Sequence, residues 1–313
     1  MGQLHKCRGG VRAGSFADMR TRIALVGPGA IGATVAALLH TAGHQVTLCG
    51  RTARDSIVVQ PDGEDPITVP GPVLTDPGRI DATSDVVLLA VKDTQNEQAA
   101  AWLAALCGPD TVVCALQNGV EQVERVGRFC PGSTVVPAAV WVSAEPTADG
   151  AVRVRTSVRL VLPDTAAARS LAGVFAGTAI AVENDPNFVS AAWHKLLVNA
   201  VVGLMVLTGR RAGMFRRDDV AALARRYLAE CLAVARADGA QLGDEVIDDV
   251  VGLLAGSPED ITTSILTDRQ AGRQLEWDIR NGVISRKAAE HGLATPISDV
   301  IVPLLAAASD GPG

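Results

Sequence analysis

The chain has 313 residues, enough for about two domains, each with a core of its own. Hydrophobic residues make up 48% and charged residues 20%, which excludes a disordered or fibrous chain. A net charge of −6 and only 3% aromatics argue against a nucleic-acid surface, which needs basic groups or stacking rings.

Residues 1–18, MGQLHKCRGGVRAGSFAD, carry no hydrophobic period and lack the apolar stretch of a secretory signal. They read as a disordered leader before Met19, with a transit peptide as the alternative. From Thr21 the chain alternates. TRIALV is a strand, Ala30 to Thr41 a helix stopped by Gly43, and HQVTLC a second strand. Ser84 to Val91 is apolar on both faces, as a central parallel strand should be. Thr94 to Leu106 reads as a helix, TVVCAL as a strand and Val120 to Phe129 as a helix. This rhythm predicts a parallel sheet covered by helices. AAVWVSAE, GAVRVRTS and VRLVLP then read as antiparallel strands that extend the sheet, with a turn near Asp149-Gly150.

After Asn184-Asp185-Pro186 the strand pattern stops. Phe188 to Leu207, Val220 to Asp238, Glu245 to Leu254 and Ile297 to Ala308 read as helices. The expected division is an α/β domain over residues 19–184 and an all-α domain over 185–313. The longest apolar run, Leu196 to Thr208, is too short to span a bilayer and contains Asn199. Cys7, Cys49, Cys107, Cys114, Cys130 and Cys231 are scattered and form no CxxC pair, so they read as reduced thiols of a cytoplasmic protein.

Gly27-Pro28-Gly29-Ala30-Ile31-Gly32 is a GxGxxG between the first strand and the first helix. That context is what a Rossmann-type dinucleotide turn requires. Gly27 allows the tight turn, Gly29 lets the backbone approach a pyrophosphate, and Gly32 lets the helix pack on the strand. The free N–H groups at the helix start, from Ala30 onward, face the phosphates. The second strand ends Leu48-Cys49-Gly50-Arg51, with Arg54 close behind and no carboxylate before Asp55. A carboxylate there would bond a ribose 2′-OH. A guanidinium suits a 2′-phosphate, so the expected cofactor is NADP(H). The alternative is that Arg51 and Arg54 are solvated loop charges.

In WHKLLVN, Lys195 and Asn199 lie four residues apart, hence on one helix face. Either they serve a site, or Lys195 snorkels and Asn199 bonds the backbone. The five histidines show no metal-binding spacing, so no metal is expected.

GPGAIG, VKDTQ (Val91 to Gln95), LQNGV (Leu116 to Val120), WHKLLVN and TSILTDRQAGRQLEWDIRNG (Thr263 to Gly282) occur in this order. With HGLATPISDVIVPLL near the end, they make the chain from Met19 onward resemble the ketopantoate reductase (2-dehydropantoate 2-reductase) family. The resemblance implies reduction of ketopantoate to pantoate, a step of pantothenate and coenzyme A synthesis. It implies that Lys195 is the general acid and that Glu276 binds the substrate hydroxyl and supports the lysine. Asn118 would sit between cofactor and substrate, and Asn199 and Ser264 would hold the substrate. Lys92 and Gln95 would touch the cofactor, and Arg51 its 2′-phosphate. Such two-domain reductases often form a homodimer through the helical half.

Ser264 and Glu276 would be ~18 Å apart on one straight helix, too far for one small substrate. A break near Gly272 is therefore expected. Asp268 reads as part of an exposed acidic face. Gly203 stands where the family commonly has a second Asn, so a substrate-side hydrogen-bonding group is expected to be missing. Arg210, Arg211, Arg216 and Arg217 read as solvated, with contact to an anionic substrate as the alternative. Two further readings stay open: a reductase or dehydrogenase of another 2-oxo or hydroxy acid, and an NADP-sensing protein without turnover.

Overall fold

The computed structural model describes residues 21–311. The leader expected over residues 1–18 lies outside the described residues. The α/β part begins with β1 (Ile23–Val26), α1 (Ala30–Thr41), β2 (Val46–Cys49), and a hairpin of β3 (Ser56–Pro61) and β4 (Ile67–Pro70). It continues with β5 (Val86–Leu89), α2 (Asn96–Leu106), β6 (Val112–Ala115), α3 (Gln122–Gly127) and β7 (Thr134–Pro137). Then come β8 (Ala139–Trp141), β9 (Ala144–Pro146), β10 (Val152–Val154), β11 (Val158–Pro163), α4 (Ala166–Val174) and β12 (Ile180–Asp185).

Five strands form the parallel sheet, in the order β2-β1-β5-β6-β7. β1 and β5 are buried at every position, because helices cover both faces. The chain moves outward from β1 to β2 and then returns to β5 on the other side of β1. Between β1 and β5 the strand order reverses, and in open α/β sheets ligands bind outside the carboxyl ends of strands at that point. The expected antiparallel extension takes the form of two smaller mixed sheets, β4-β3-β10-β9 and β12-β11-β8. Within them β9 and β10, and β8 and β11, pair antiparallel.

From Phe188 onward the described regular structure is helical. It comprises α5 (Phe188–Val201), α6 (Gly203–Thr208), α7 (Asp218–Ala237), α8 (Glu245–Gly256) and α9 (Ser264–Gln270). After α9 come a π-helical turn (Asp278–Gly282), α10 (Val283–Glu290) and α11 (Ser298–Asp310). Trp193, Leu197, Tyr227, Ile284 and Leu305 belong to one core in this half. The two faces of the parallel sheet build separate cores. The run Phe188–Thr208 has the length and mean hydropathy, 1.5, of a membrane span, yet 67% of its apolar window is buried inside the protein. Its apolar side chains are spent on the core.

Candidate active site

The Gly-rich turn has the backbone its sequence demands. Gly27 sits at φ +92°, and a Cβ there would lie 2.7 Å from the Val91 nitrogen. At Gly32 a Cβ would meet Ala90 at 3.0 Å and the Gly27 carbonyl oxygen closer still. Gly29 differs: nothing lies within 4 Å of where its Cβ would be. No side chain caps the start of α1, so no capping group occupies the N–H groups of its first turn.

Beside this turn lies a cavity of about 300 Å³ lined by Arg51, Lys92, Thr94, Gln95, Gln98, Arg273 and Gln274. Lys92 and Arg273 both pair with Asp268. Arg51 has no hydrogen-bond or ion-pair partner among the described residues. Arg54 donates to the Gly150 carbonyl at 3.3 Å instead. The open approach at Gly29 and the uncapped helix fit a dinucleotide cofactor. Asp268 corrects an expectation: it is only 3% exposed, and its carboxylate is paired with Lys92 and Arg273.

The second group of residues forms between the ends of β5 and β6 and the helices α5 and α9. The helix carrying Ser264 does break. It ends at Gln270, and Gly272 takes φ +63°. The chain then turns back, and Glu276 precedes the π-helical turn. Glu276 is 5% exposed. One oxygen accepts from the Asp93 backbone N–H at 3.1 Å. The other accepts from Asn118 Nδ2 at 3.2 Å and from Arg280 Nη2 at 3.2 Å. The Arg280 guanidinium also donates to Ser264 Oγ at 3.0 Å and Asn199 Oδ1 at 3.5 Å. Asn199 in turn donates to Asn118 Oδ1 at 3.3 Å. Asn118, Asn199, Ser264 and Glu276, chosen from four separate segments, thus meet in one hydrogen-bonded set.

Lys195 lies one turn before Asn199 on α5. With Asn118 and Asn199 it lines a small cavity of about 10 Å³, room for a water-sized group. Its ammonium donates to the Val140 carbonyl and lies over the Trp141 ring, 5.0 Å from its centre. It makes no hydrogen bond to Glu276. Burial and the nearby Arg280 lower its pKa to about 8, and Glu276 opposes that shift.

Arg280 is the residue that sequence reading missed. The available signal was its place four residues after Glu276, a spacing that pairs charges on a helix. The arginines 210–217 stand apart from this set. Arg211 and Arg216 bond carbonyls of Asp260, Ala255 and Ser257, Arg216 pairs with Glu259, and Arg217 pairs with Asp219. Gly203 is closely packed. A Cβ there would point at Asn281, 3.0 Å from Nδ2, and at Leu305, 3.1 Å away. His291, Asp238 and Glu290 come close enough to share an ion. Lys287 bonds both carboxylates there, at 3.3 and 3.1 Å, and neutralises part of their charge.

Residues 23–167 match the family described as ketopantoate reductase PanE/ApbA, and residues 187–309 match its C-terminal counterpart. The chain belongs to the ketopantoate reductase family. It is 62% identical to the 2-dehydropantoate 2-reductase of Mycobacterium tuberculosis over 295 residues, covering 94% of this chain and 100% of that one. A dimeric ketopantoate reductase from Staphylococcus aureus superposes with a TM-score of 0.84 at 28% identity, covering 93% of this chain and 100% of the other. A D-mandelate dehydrogenase solved with NADH and anilino(oxo)acetate shares the fold. Its TM-score is 0.81 at 22% identity, over 92% of this chain and 98% of that one.

Proposed function

We propose that this chain is an oxidoreductase that reduces 2-dehydropantoate to pantoate with NADPH, in pantothenate biosynthesis. The observation that carries the reading is the convergence of Asn118, Asn199, Ser264 and Glu276 beside Lys195, beyond the carboxyl ends of β5 and β6. The full-length likeness to the mycobacterial reductase supports the substrate.

The cofactor would be held by the backbone of Gly27, Gly29, Ala30, Ile31 and Gly32 at its pyrophosphate. Arg51 would meet the 2′-phosphate, and Lys92, Gln95 and Asn118 would complete its contacts. When bound, the nicotinamide would supply the hydride for the 2-oxo carbon. Negative charge then grows on the carbonyl oxygen, where the Lys195 ammonium stabilises it and donates the proton that makes the hydroxyl. A lysine with a pKa near 8 gives up that proton more readily than an exposed one. Glu276 keeps Lys195 charged and accepts from the substrate hydroxyl. Asn199 and Ser264 fix the substrate between them. The division of labour falls near residue 184, with cofactor binding before it and catalysis after it.

We place the enzyme in the cytoplasm, as a homodimer. Val300 and Leu304, one turn apart on α11, are 59% and 51% exposed and give the helical half an apolar face.

The test is NADPH oxidation by the purified protein with 2-dehydropantoate and a panel of branched and linear 2-oxo acids, with Lys195→Ala as control. Lys195-dependent turnover of 2-dehydropantoate is the expected result. Turnover of another acid alone would move the substrate and keep the mechanism. NADPH binding with no turnover would favour a sensing protein.

A further inference from the structure

The guanidinium of Arg280 is 3% exposed, yet its Nε is buried with no hydrogen-bond partner. A guanidinium has five N–H donors in a fixed fork. Three are directed at Glu276, Ser264 and Asn199. An unpaired donor on a buried cation is costly, so its retention at this position needs a reason.

The charges around it are unbalanced. Lys195 and Arg280 are two cations, and Glu276 is the one anion bonded within the set. The neighbouring carboxylates are engaged elsewhere: Asp93 with Arg125, and Asp268 with Lys92 and Arg273. Among Lys195, Arg280 and Glu276 one positive charge is left over in a largely buried place. A 2-oxo acid brings one negative charge, on its carboxylate. Ser264 is the exposed member of the set, and it is bonded directly to Arg280. A carboxylate accepting from the Ser264 hydroxyl would lie beside this guanidinium, where the positive charge strengthens a hydrogen bond to an anion.

We propose that Arg280 is a specificity-determining residue that recognises the carboxylate of the 2-oxo acid, together with Ser264. Glu276 and Asn199 hold the guanidinium in place, and the incoming anion completes its coordination. The same residue thus selects an acid over a neutral ketone. This inference rests on the reduction of a 2-oxo acid proposed above.

The test compares wild type with Arg280→Met and Arg280→Lys on two substrates, 2-dehydropantoate and its neutral methyl ester. Hydrogen bonds to charged groups are worth enough for about tenfold discrimination or more. The expected result is that the preference for the acid over the ester, as a ratio of kcat/KM, collapses by about tenfold or more in Arg280→Met. The loss should sit mainly in KM for the acid, and Arg280→Lys should restore part of the preference. Equal losses on both substrates would overturn the inference and leave Arg280 as a structural partner of Glu276. NADPH affinity and melting temperature report whether each variant is folded. If Arg280→Met does not fold, Arg280→Gln, which keeps hydrogen-bond donors and removes the charge, takes its place, and an unchanged acid-to-ester ratio in that variant overturns the inference. If wild type reduces a different 2-oxo acid, the substrate reading fails by itself, and the comparison is made with that acid and its ester. A wild type that binds NADPH but reduces no 2-oxo acid overturns both.

Discussion

Lys195 donates its hydrogen bond to the backbone carbonyl of Val140, at the centre of β8, and not to Glu276. The ammonium is therefore held by a neutral dipole, while Glu276 is bonded to Asn118, Arg280 and the Asp93 amide. The lysine feels the carboxylate only through space. Burial and Arg280 pull its pKa down to about 8, and Glu276 pulls it back up.

That balance sets a pH dependence with a definite sign. A general acid must be protonated, so kcat/KM should fall as pH rises through about 8. Glu276→Gln removes the opposing charge, and the fall should then begin at lower pH. Lys195→Ala should cost roughly 10²–10⁴ in kcat. Steady-state profiles of the three proteins check this. A Glu276→Gln profile whose alkaline limb stays in place would show that another group titrates.

Arg51 sets the second expectation. It lines the cavity beside the Gly-rich turn and has no partner among the described residues. Removing it should therefore cost nothing in ion pairing within the protein. Arg51→Ala should raise KM for NADPH by about tenfold or more, since a charge-assisted phosphate contact is lost. KM for NADH, which lacks that phosphate, should change far less. Kinetics with the two cofactors give the answer, and parallel losses would remove Arg51 from the phosphate site.

The Gly-rich turn is legible in sequence because each glycine there answers a local backbone demand. Gly27 at φ +92° and the close approach at Gly32 are properties of one strand–turn–helix unit. Arg280 is not legible in the same way. A charged residue four positions after a glutamate reads as a surface pair. Its burial comes from packing against Asn199 and Ser264, which lie 81 and 16 residues away along the chain. Asp268 misleads for the same reason, since the lysine that pairs with it, Lys92, lies 176 residues away along the chain. The break after Gln270 could be anticipated from Gly272, but the π-helical turn over Asp278–Gly282 could not, because hydrophobic periodicity does not distinguish it from α-helix.

The two glycines of the turn should respond differently to substitution. A Cβ on Gly27 meets the Val91 backbone at a φ that L-residues avoid, so Gly27→Ala should destabilise the fold itself. Gly29 has open space around it, so Gly29→Val should keep its melting temperature within a few degrees. Its side chain would instead occupy the approach to the pyrophosphate, and the NADPH Kd should rise by about tenfold or more. Thermal melts and fluorescence titration separate the two effects. Tight NADPH binding by Gly29→Val would place the cofactor elsewhere.

Gly203 offers the sharpest contrast between a reading by family resemblance and one by packing. If the position faced the substrate, Gly203→Asn would add a hydrogen bond and alter substrate preference. In the structure its Cβ direction meets Asn281 at 3.0 Å and Leu305 at 3.1 Å, both buried. Asn281 is itself committed, donating to the Ala200 carbonyl at 2.8 Å and to the Tyr227 hydroxyl at 2.9 Å. Its Oδ1 has no partner, so an inserted amide could bond it only by forcing α6 and α11 apart. Overpacking of this kind typically costs about 1–3 kcal/mol. Gly203→Asn should therefore lower the melting temperature and leave the ranking of 2-oxo acids by kcat/KM unchanged. A stable variant with a reordered ranking would put this position back in the substrate site.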